Sequence, residues 1–428
     1  MARLNRSFRT RAAELHDIGR GPAFSDSQIE RMMPAIPIAV RRLLRLVLLG
    51  LVASAPSDLG ADDIVIGFWN GVGRFEVFGS PASGLPHAAY RQVPWSNYSD
   101  RCGDTLSLSF GNLDADLGQE LVVGLGVFPQ AGGWFAVFDD ESTNHVLLAW
   151  LRVNWVPYNA RNGETRPACG DFDGDGRDEI AVGLGWYPEA GGWVAFFDDA
   201  STGFARLPWV RVLWPAYNAA NGETWPAAGN VDDDARDELV LGFGRYPDSG
   251  GWVRILDDAA AGHAGLSWLR LDYSAYNAAV GVTYPALGDL DADGRDELVV
   301  GMDGFVPNGG YVRIFDDQAS GFARLRWGRL PFSGYNAQNG TVRPSVGQLD
   351  WDGEGRADVV MGTGYHPPAG GWFYLWMNPL GPAPSGQWGR VEWSAYNSVN
   401  GTAWPAAGVR ATPPVPPPPP PPPPESSS

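Results

Sequence analysis

Short apolar runs of four or five residues recur along the chain, each closed by a glycine and each preceded by a polar, acidic stretch. Glu179-Ile180-Ala181-Val182-Gly183 is one of them, and Glu297-Leu298-Val299-Val300-Gly301 is another. Runs this short, rich in β-branched residues and bounded by turn formers, read as buried strands. A second kind of segment alternates instead. Between Ala205 and Leu213, Leu207, Trp209 and Leu213 interleave with Arg206 and Arg211, which predicts a strand with one face in solvent. No stretch carries the 3.6-residue period of an amphipathic helix, so the fold is expected to be all-β.

The pattern is periodic at a longer scale. A glycine at Gly111, Gly170, Gly229, Gly288, Gly347 and Gly408 recurs every 59 residues, with a last step of 61. A second series, Gly67, Gly124, Gly183, Gly242, Gly301 and Gly362, follows the apolar strands. A Tyr-Asn pair begins at Tyr158, Tyr217, Tyr276, Tyr335 and Tyr396. Each unit predicts four strands. In residues 170–228 the first ends at Gly170-Asp171-Phe172 and the second is Glu179 to Gly183. The third is Trp193 to Phe197, and the fourth is Ala205 to Leu213. Repeated four-stranded units predict propeller blades. The first unit opens at Asp62-Asp63-Ile64-Val65-Ile66-Gly67, which matches a second strand. The last runs into Trp404-Pro405-Ala406-Ala407-Gly408, which matches a first strand with no blade after it. Pairing these two closes a ring of six blades and removes two exposed sheet edges. An open solenoid would need capping repeats, and none is visible.

Composition sharpens this picture in three ways. Gly 56 and Pro 36 among 428 residues suit many turns. The net charge is −18. Residues 1–55 hold nine Arg and four acidic residues, a net of +5, which leaves −23 on the remainder. Such a body repels nucleic acid and anionic membranes and suits cations. Cys102 and Cys169 are too few for a disulfide scaffold and fit no zinc spacing; one bridge and two buried thiols both remain open.

The ends read differently from the repeats. Arg41, Arg42 and Arg45, then Leu46 to Val52, then Ala53-Ser54-Ala55 make a signal peptide over 33–55, with an apolar run too short to span a membrane. Residues 1–32 read as a non-native or extended N-terminus, with Met32 or Met33 as the start. The propeller is expected over 58–412. Residues 413–428, mostly proline, read as an extended spacer.

Three loops carry the metal chemistry. Asp171-Phe172-Asp173-Gly174-Asp175-Gly176-Arg177-Asp178-Glu179 places carboxylates at positions 1, 3, 5 and 9. Glycine at position 6 allows the sharp turn, and Arg177 offers a backbone carbonyl. This is the oxygen cage that calcium requires. Asp289, Asp291, Asp293, Arg295 and Glu297 repeat the pattern. So do Asp350, Asp352, Glu354, Arg356 and Asp358. The loops at 112–120 and 230–238 read as degraded, with Leu117 and Ala235 in place of the turn glycine. The first unit keeps no ligand set. Acidic turns without a metal are the alternative, disfavoured because uncompensated carboxylates repel.

The stretch Gly170 to Gly183 resembles the FG-GAP/VCBS repeat of integrin alpha-subunit propellers and of many bacterial secreted proteins, over residues 58–410. The resemblance implies a propeller with structural calcium in its blade turns and ligands bound elsewhere. Integrin propellers have seven blades, so seven is the alternative to the six counted here.

Two further motifs are candidates for ligand contact. Trp155/Asn159, Trp214/Asn218, Tyr273/Asn277 and Trp393/Asn397 belong to an aromatic-x-x-Tyr-Asn motif between blades, which Phe332, Tyr335 and Asn336 share. Aromatic faces and amides together suit sugars. Packing between blades explains the same repetition and is favoured. Trp134, Trp193, Trp252, Tyr311 and Trp372 open the third strands and read as core. Arg152, Arg211, Arg270, Arg329 and Arg390 read as outer-edge charges. No nucleophile elbow, P-loop or H-E-x-x-H motif occurs, and His87, His145, His263 and His366 sit at no repeated position. The expectation is therefore a secreted calcium-binding module for extracellular glycan or protein, without catalysis. A lyase-like enzyme on polysaccharide and a purely structural surface protein are the alternatives.

Overall fold

A computed structural model describes residues 64–408, apart from 69–72, 102–105, 115, 117, 129–131, 189, 233, 248, 350–354, 368 and 382–383. The segments read as signal peptide and spacer, together with Cys102, Asp350, Asp352 and Glu354, lie outside the described residues. Twenty-four strands form six four-stranded antiparallel sheets, one per repeat, arranged as a six-bladed propeller. The alternative of seven blades is thereby set aside.

Blade 3 shows the common plan: β8 (Thr165–Gly170), β9 (Glu179–Leu184), β10 (Trp193–Phe197) and β11 (Arg206–Arg211) pair in sequence order from the axis outward. All six residues of β9 are buried, and β11 is half-exposed, as its alternation requires. The first strand stops at Gly170, two residues short of the expected end, and β11 is trimmed at both ends.

Blade 1 is composite. Its innermost strand, β24 (Trp404–Ala407), comes from the far end of the chain. It pairs antiparallel with β1 (Ile64–Gly67), Ile64 opposite Ala407 and Gly67 opposite Trp404. β2 (Arg74–Phe78) and β3 (His87–Gln92) complete that blade. The ring thus closes by strand exchange between the two ends of the repeat array.

The all-β expectation holds, with one detail that the pattern along the chain does not express. Six single-turn helices, such as Val156–Arg161 and Pro215–Ala220, carry the aromatic-x-x-Tyr-Asn motif from each outer strand to the next blade. A six-residue helix is too short to express a period in the sequence. The tyrosine is buried in each copy described. Tyr158 Oη donates to the Glu164 carbonyl (2.5 Å) and accepts from Gly185 N (2.7 Å), tying the helix to both inner strands of the following blade. Tyr98, in the helix Ser96–Arg101, is a sixth copy, with Ser99 replacing asparagine.

Candidate cation sites and the axial channel

The turn between the first and second strands and the turn after the third strand emerge on the same face of each blade, because antiparallel strands alternate direction. That geometry builds the acidic clusters. In blade 3, Asp171, Asp173, Asp175 and Glu179 bring ligand oxygens within 4.8 Å of one another. In blade 5, whose second strand is β17 (Glu297–Met302), Asp289, Asp291 and Glu297 do the same. Asp293 lies in that turn too, but its carboxylate bonds the guanidinium of Arg295 (2.6 Å).

The loops fold themselves around their first aspartate. Asp171 accepts from the backbone N–H of Gly174, Asp175 and Gly176, and Asp289 accepts from Ala292, Asp293 and Gly294. Gly176 has φ +90°, which the turn requires of glycine.

The ninth position is the most informative. Glu179 is 1% exposed; its Oε2 accepts from Phe172 N and Asp173 N, while Oε1 is buried without a partner. Glu120, Glu238 and Glu297 repeat this geometry, with Oε2 on Leu113, Val231 and Leu290 N and Oε1 unmatched. Burial, reinforced by the neighbouring aspartates, pushes all four carboxyls up to about 8. A buried oxygen lone pair aimed at other carboxylates is what a cation would satisfy.

Two loops that read as degraded also form clusters. Asp114 and Asp116 meet Asp139, and Asp232 and Glu238 meet Asp257. Asp139 and Asp257 are the first of an Asp-Asp pair that closes the third strands, repeated at Asp198-Asp199 and Asp316-Asp317. Of the third loop predicted, only Arg356 and Asp358 fall within the described residues. Asp358 is buried, and its Oδ1 accepts from Asn378 N (2.9 Å). Blade 6 has Met377 where Asp198 stands in blade 3.

The second aspartate of each pair has another role. Asp199 caps a 3₁₀ turn by accepting from Ser201 N and Thr202 N, and it binds Arg177 (3.0 Å). Arg236 binds Asp258 (3.1 Å) in the same way, and Arg295 binds Asp317. The position-7 arginine therefore clamps the two turns that form the cluster, beyond any part its carbonyl plays.

The ligand candidates between blades are engaged within the chain. Asn159, Asn218, Asn277 and Asn397 are buried, and each Nδ2 donates to a backbone carbonyl: Val153, Val212, Leu271 and Val391. Trp155, Trp214 and Trp393 stack on their own Tyr158, Tyr217 and Tyr396, and Tyr273 lies tilted 6.2 Å from Tyr276. The outer-strand arginines are more than edge charges. Arg211 Nε donates to the Gly191 carbonyl (3.2 Å) and its guanidinium lies over Trp193 (5.0 Å); Arg152, Arg270, Arg329 and Arg390 copy both contacts.

The inner strands surround an axial cavity of about 390 Å³ that opens on the acidic-loop face. Asp178, Asp237 and Asp296 line it, held up to about 7, 6 and 8 by burial. The Cys169 thiol is free and forms part of the wall, where burial pushes its pKa up. Farther along the inner strands, Arg343 stacks on Trp404 (3.2 Å), Trp225 (4.3 Å) and Tyr284 (4.5 Å).

No family model matches the chain. Over 220 residues it is 24% identical to "Integrin alpha pat-2" of Caenorhabditis elegans, covering 46% of this chain and 17% of that protein. The chain thus spans under a fifth of that relative's length. Among solved structures, the Dos1 propeller superposes with a TM-score of 0.41 at 12% identity, covering 78% of this chain and 74% of that one. The exotype rhamnogalacturonan lyase YesX gives 0.37 at 15%, covering 71% and 55%. A luciferin-regenerating enzyme gives 0.38 at 14%, covering 81% and 92%. Among the described residues no helix is long and apolar enough to cross a membrane.

Proposed function

We propose that this chain is a secreted, calcium-stabilised binding module of the FG-GAP/VCBS type, which engages an extracellular protein or glycan without turning it over. The observation that carries the cation half is the unmatched, buried Oε1 of Glu120, Glu179, Glu238 and Glu297. Calcium suits an all-oxygen set better than softer metals do. Four ions are expected in the described loops: Asp171, Asp173, Asp175 and Glu179 hold one, and Asp289, Asp291 and Glu297 another. Asp114, Asp116, Glu120 and Asp139 hold the third, and Asp232, Glu238 and Asp257 the fourth. The loop of Asp350, Asp352, Glu354 and Asp358 adds a fifth, with the Arg177, Arg295 and Arg356 carbonyls completing their own cages.

The binding half rests on the opposite face. Val156, Trp186, Leu213, Val306, Tyr365 and Val399 are exposed, and all lie on the second-to-third-strand turns or on the segments joining consecutive blades. These connections share the face away from the acidic turns. Large apolar side chains gathered there suit a partner surface, and the likeness to an integrin alpha chain favours a protein partner. The signal peptide reading of 33–55 supports export.

Two measurements test this. Calorimetric titration of the chelated protein with calcium should find at least four sites, and Asp257→Asn should remove one; a chelator that leaves the melting curve unmoved refutes the cation assignment. Trp186→Ala and Tyr365→Ala should abolish binding on arrays of extracellular proteins and glycans while preserving the melting temperature. Binding unchanged in both variants, or absent from the wild-type chain, refutes the assigned surface. Release of ultraviolet-absorbing unsaturated sugars from acidic polysaccharide would favour the lyase alternative instead.

A further inference from the structure

In a repeat protein, residues shared by all blades serve the scaffold, so a polar cluster found in one blade alone needs its own explanation. Blade 1 contains such a cluster. Glu76 occupies the middle of β2, where the other third strands carry Ala136, Ala195, Arg254, Arg313 and Tyr374. It is wholly buried. His87, at the start of β3, places Nδ1 2.7 Å from Glu76 Oε1. Glu392, on the exposed segment that follows the outer strand β23 (Ser385–Arg390) of blade 6, donates its backbone N–H to Glu76 (3.2 Å). Ligand atoms of Glu76, His87 and Glu392 lie within 4.8 Å of one another.

The equivalent place between blades 4 and 5 offers a comparison. There Asp272, the counterpart of Glu392, forms an ion pair with Arg313, the counterpart of Glu76 (3.2 Å). The blade 6–blade 1 boundary keeps the carboxylate of one partner and replaces the guanidinium of the other with a second carboxylate. The sign of one charge is reversed, and Arg74 lies over the Trp393 ring (5.3 Å). Two carboxylates thus face each other where blades 4 and 5 pair opposite charges.

We propose that Glu76, His87 and Glu392 bind a divalent transition ion of the zinc class, distinct from the calcium loops, which pins blade 6 to blade 1. One imidazole and two carboxylates are a borderline donor set that suits zinc, whereas calcium takes oxygen alone. Tyr90 faces Glu76 across the strand pair and packs on the His87 ring (4.5 Å), fixing its plane. Glu392 is exposed, so the cluster lies at the surface between the two blades.

The test uses the whole chain saturated with calcium, so that the loops are filled. Cobalt(II) should add one equivalent with visible d–d bands, zinc should displace it, and zinc should raise the melting temperature. His87→Gln, at a side chain that is 25% exposed and so tolerant of change, should lose the bands and the zinc-dependent rise while keeping the calcium-dependent one. Asp173→Ala should retain both zinc effects. Absence of cobalt bands and of a zinc-dependent rise in the wild-type chain overturns the proposal. Their persistence in His87→Gln overturns it equally.

Discussion

A single atom explains why the second glycine of the Gly-Gly turn recurs. Gly192 has φ +81°, and a Cβ there would fall 2.1 Å from Asn218 Oδ1. Gly203 has a similar φ, +71°, but open space around the position of a Cβ. Gly203→Ala should therefore cost only left-handed strain, about 1–2 kcal/mol. Gly192→Ala should cost more than about 3 kcal/mol, because the buried asparagine must move as well. Thermal unfolding of the two variants gives the comparison, and equal losses would discount the asparagine contact. At this scale much was legible. Position 9 is a candidate ligand from spacing alone, and the burial that leaves its oxygen unmatched follows from the apolar strand it begins. The spacing did not point to Asp139 and Asp257, which join two of the acidic clusters. They lie outside the linear loop and reach it only because two turns of one blade surface together, although the recurring Asp-Asp pair after each third strand was there to be seen. The stacking of Arg211 on Trp193 was missed for the same reason, since partners eighteen residues apart meet only across a strand pair.

At the scale of the element, each acidic turn gathers carboxylates whose charge depends on pH. Four glutamates held at about 8, against an ordinary value of 4.5, bind protons in the folded chain that the unfolded chain has released. The stability that this protonation provides is complete below about 4.5 and is lost as the pH rises through about 8. The cation-free protein should therefore melt at a lower temperature at pH 8 than at pH 6. Saturating calcium should abolish or reverse that slope, since the ion replaces the proton, and calcium binding at pH 7 should release protons into the buffer. Melting curves in chelator across this range, flat with pH, would contradict the arrangement. The strands themselves were largely legible because their apolar runs are fully buried. The single-turn helices were not, because they are fixed by the tyrosine hydroxyl bridging two strands rather than by any periodicity.

At the scale of the molecule, the closing strand decides integrity. Deleting residues 404–412 removes the partner of β1 and reopens a sheet edge. Deleting 413–428 removes no described contact. The first truncation should lower the melting temperature steeply or abolish soluble expression, and the second should change neither. Matching behaviour of the two would argue against closure by strand exchange. Both the blade number and the closure could be foreseen, because an orphan first strand at one end and a missing one at the other are visible as a mismatch in the count.

That closure also sets an order in time. The apolar strand at Ile64–Gly67 leaves the ribosome early, and the strand that completes its sheet leaves after every other blade. Throughout synthesis, and through any transport in an extended state, this blade carries an open edge that another nascent chain could occupy. Translation speed and chaperone cover over the last repeat should matter more to the yield of this protein than any property of its finished, closed ring.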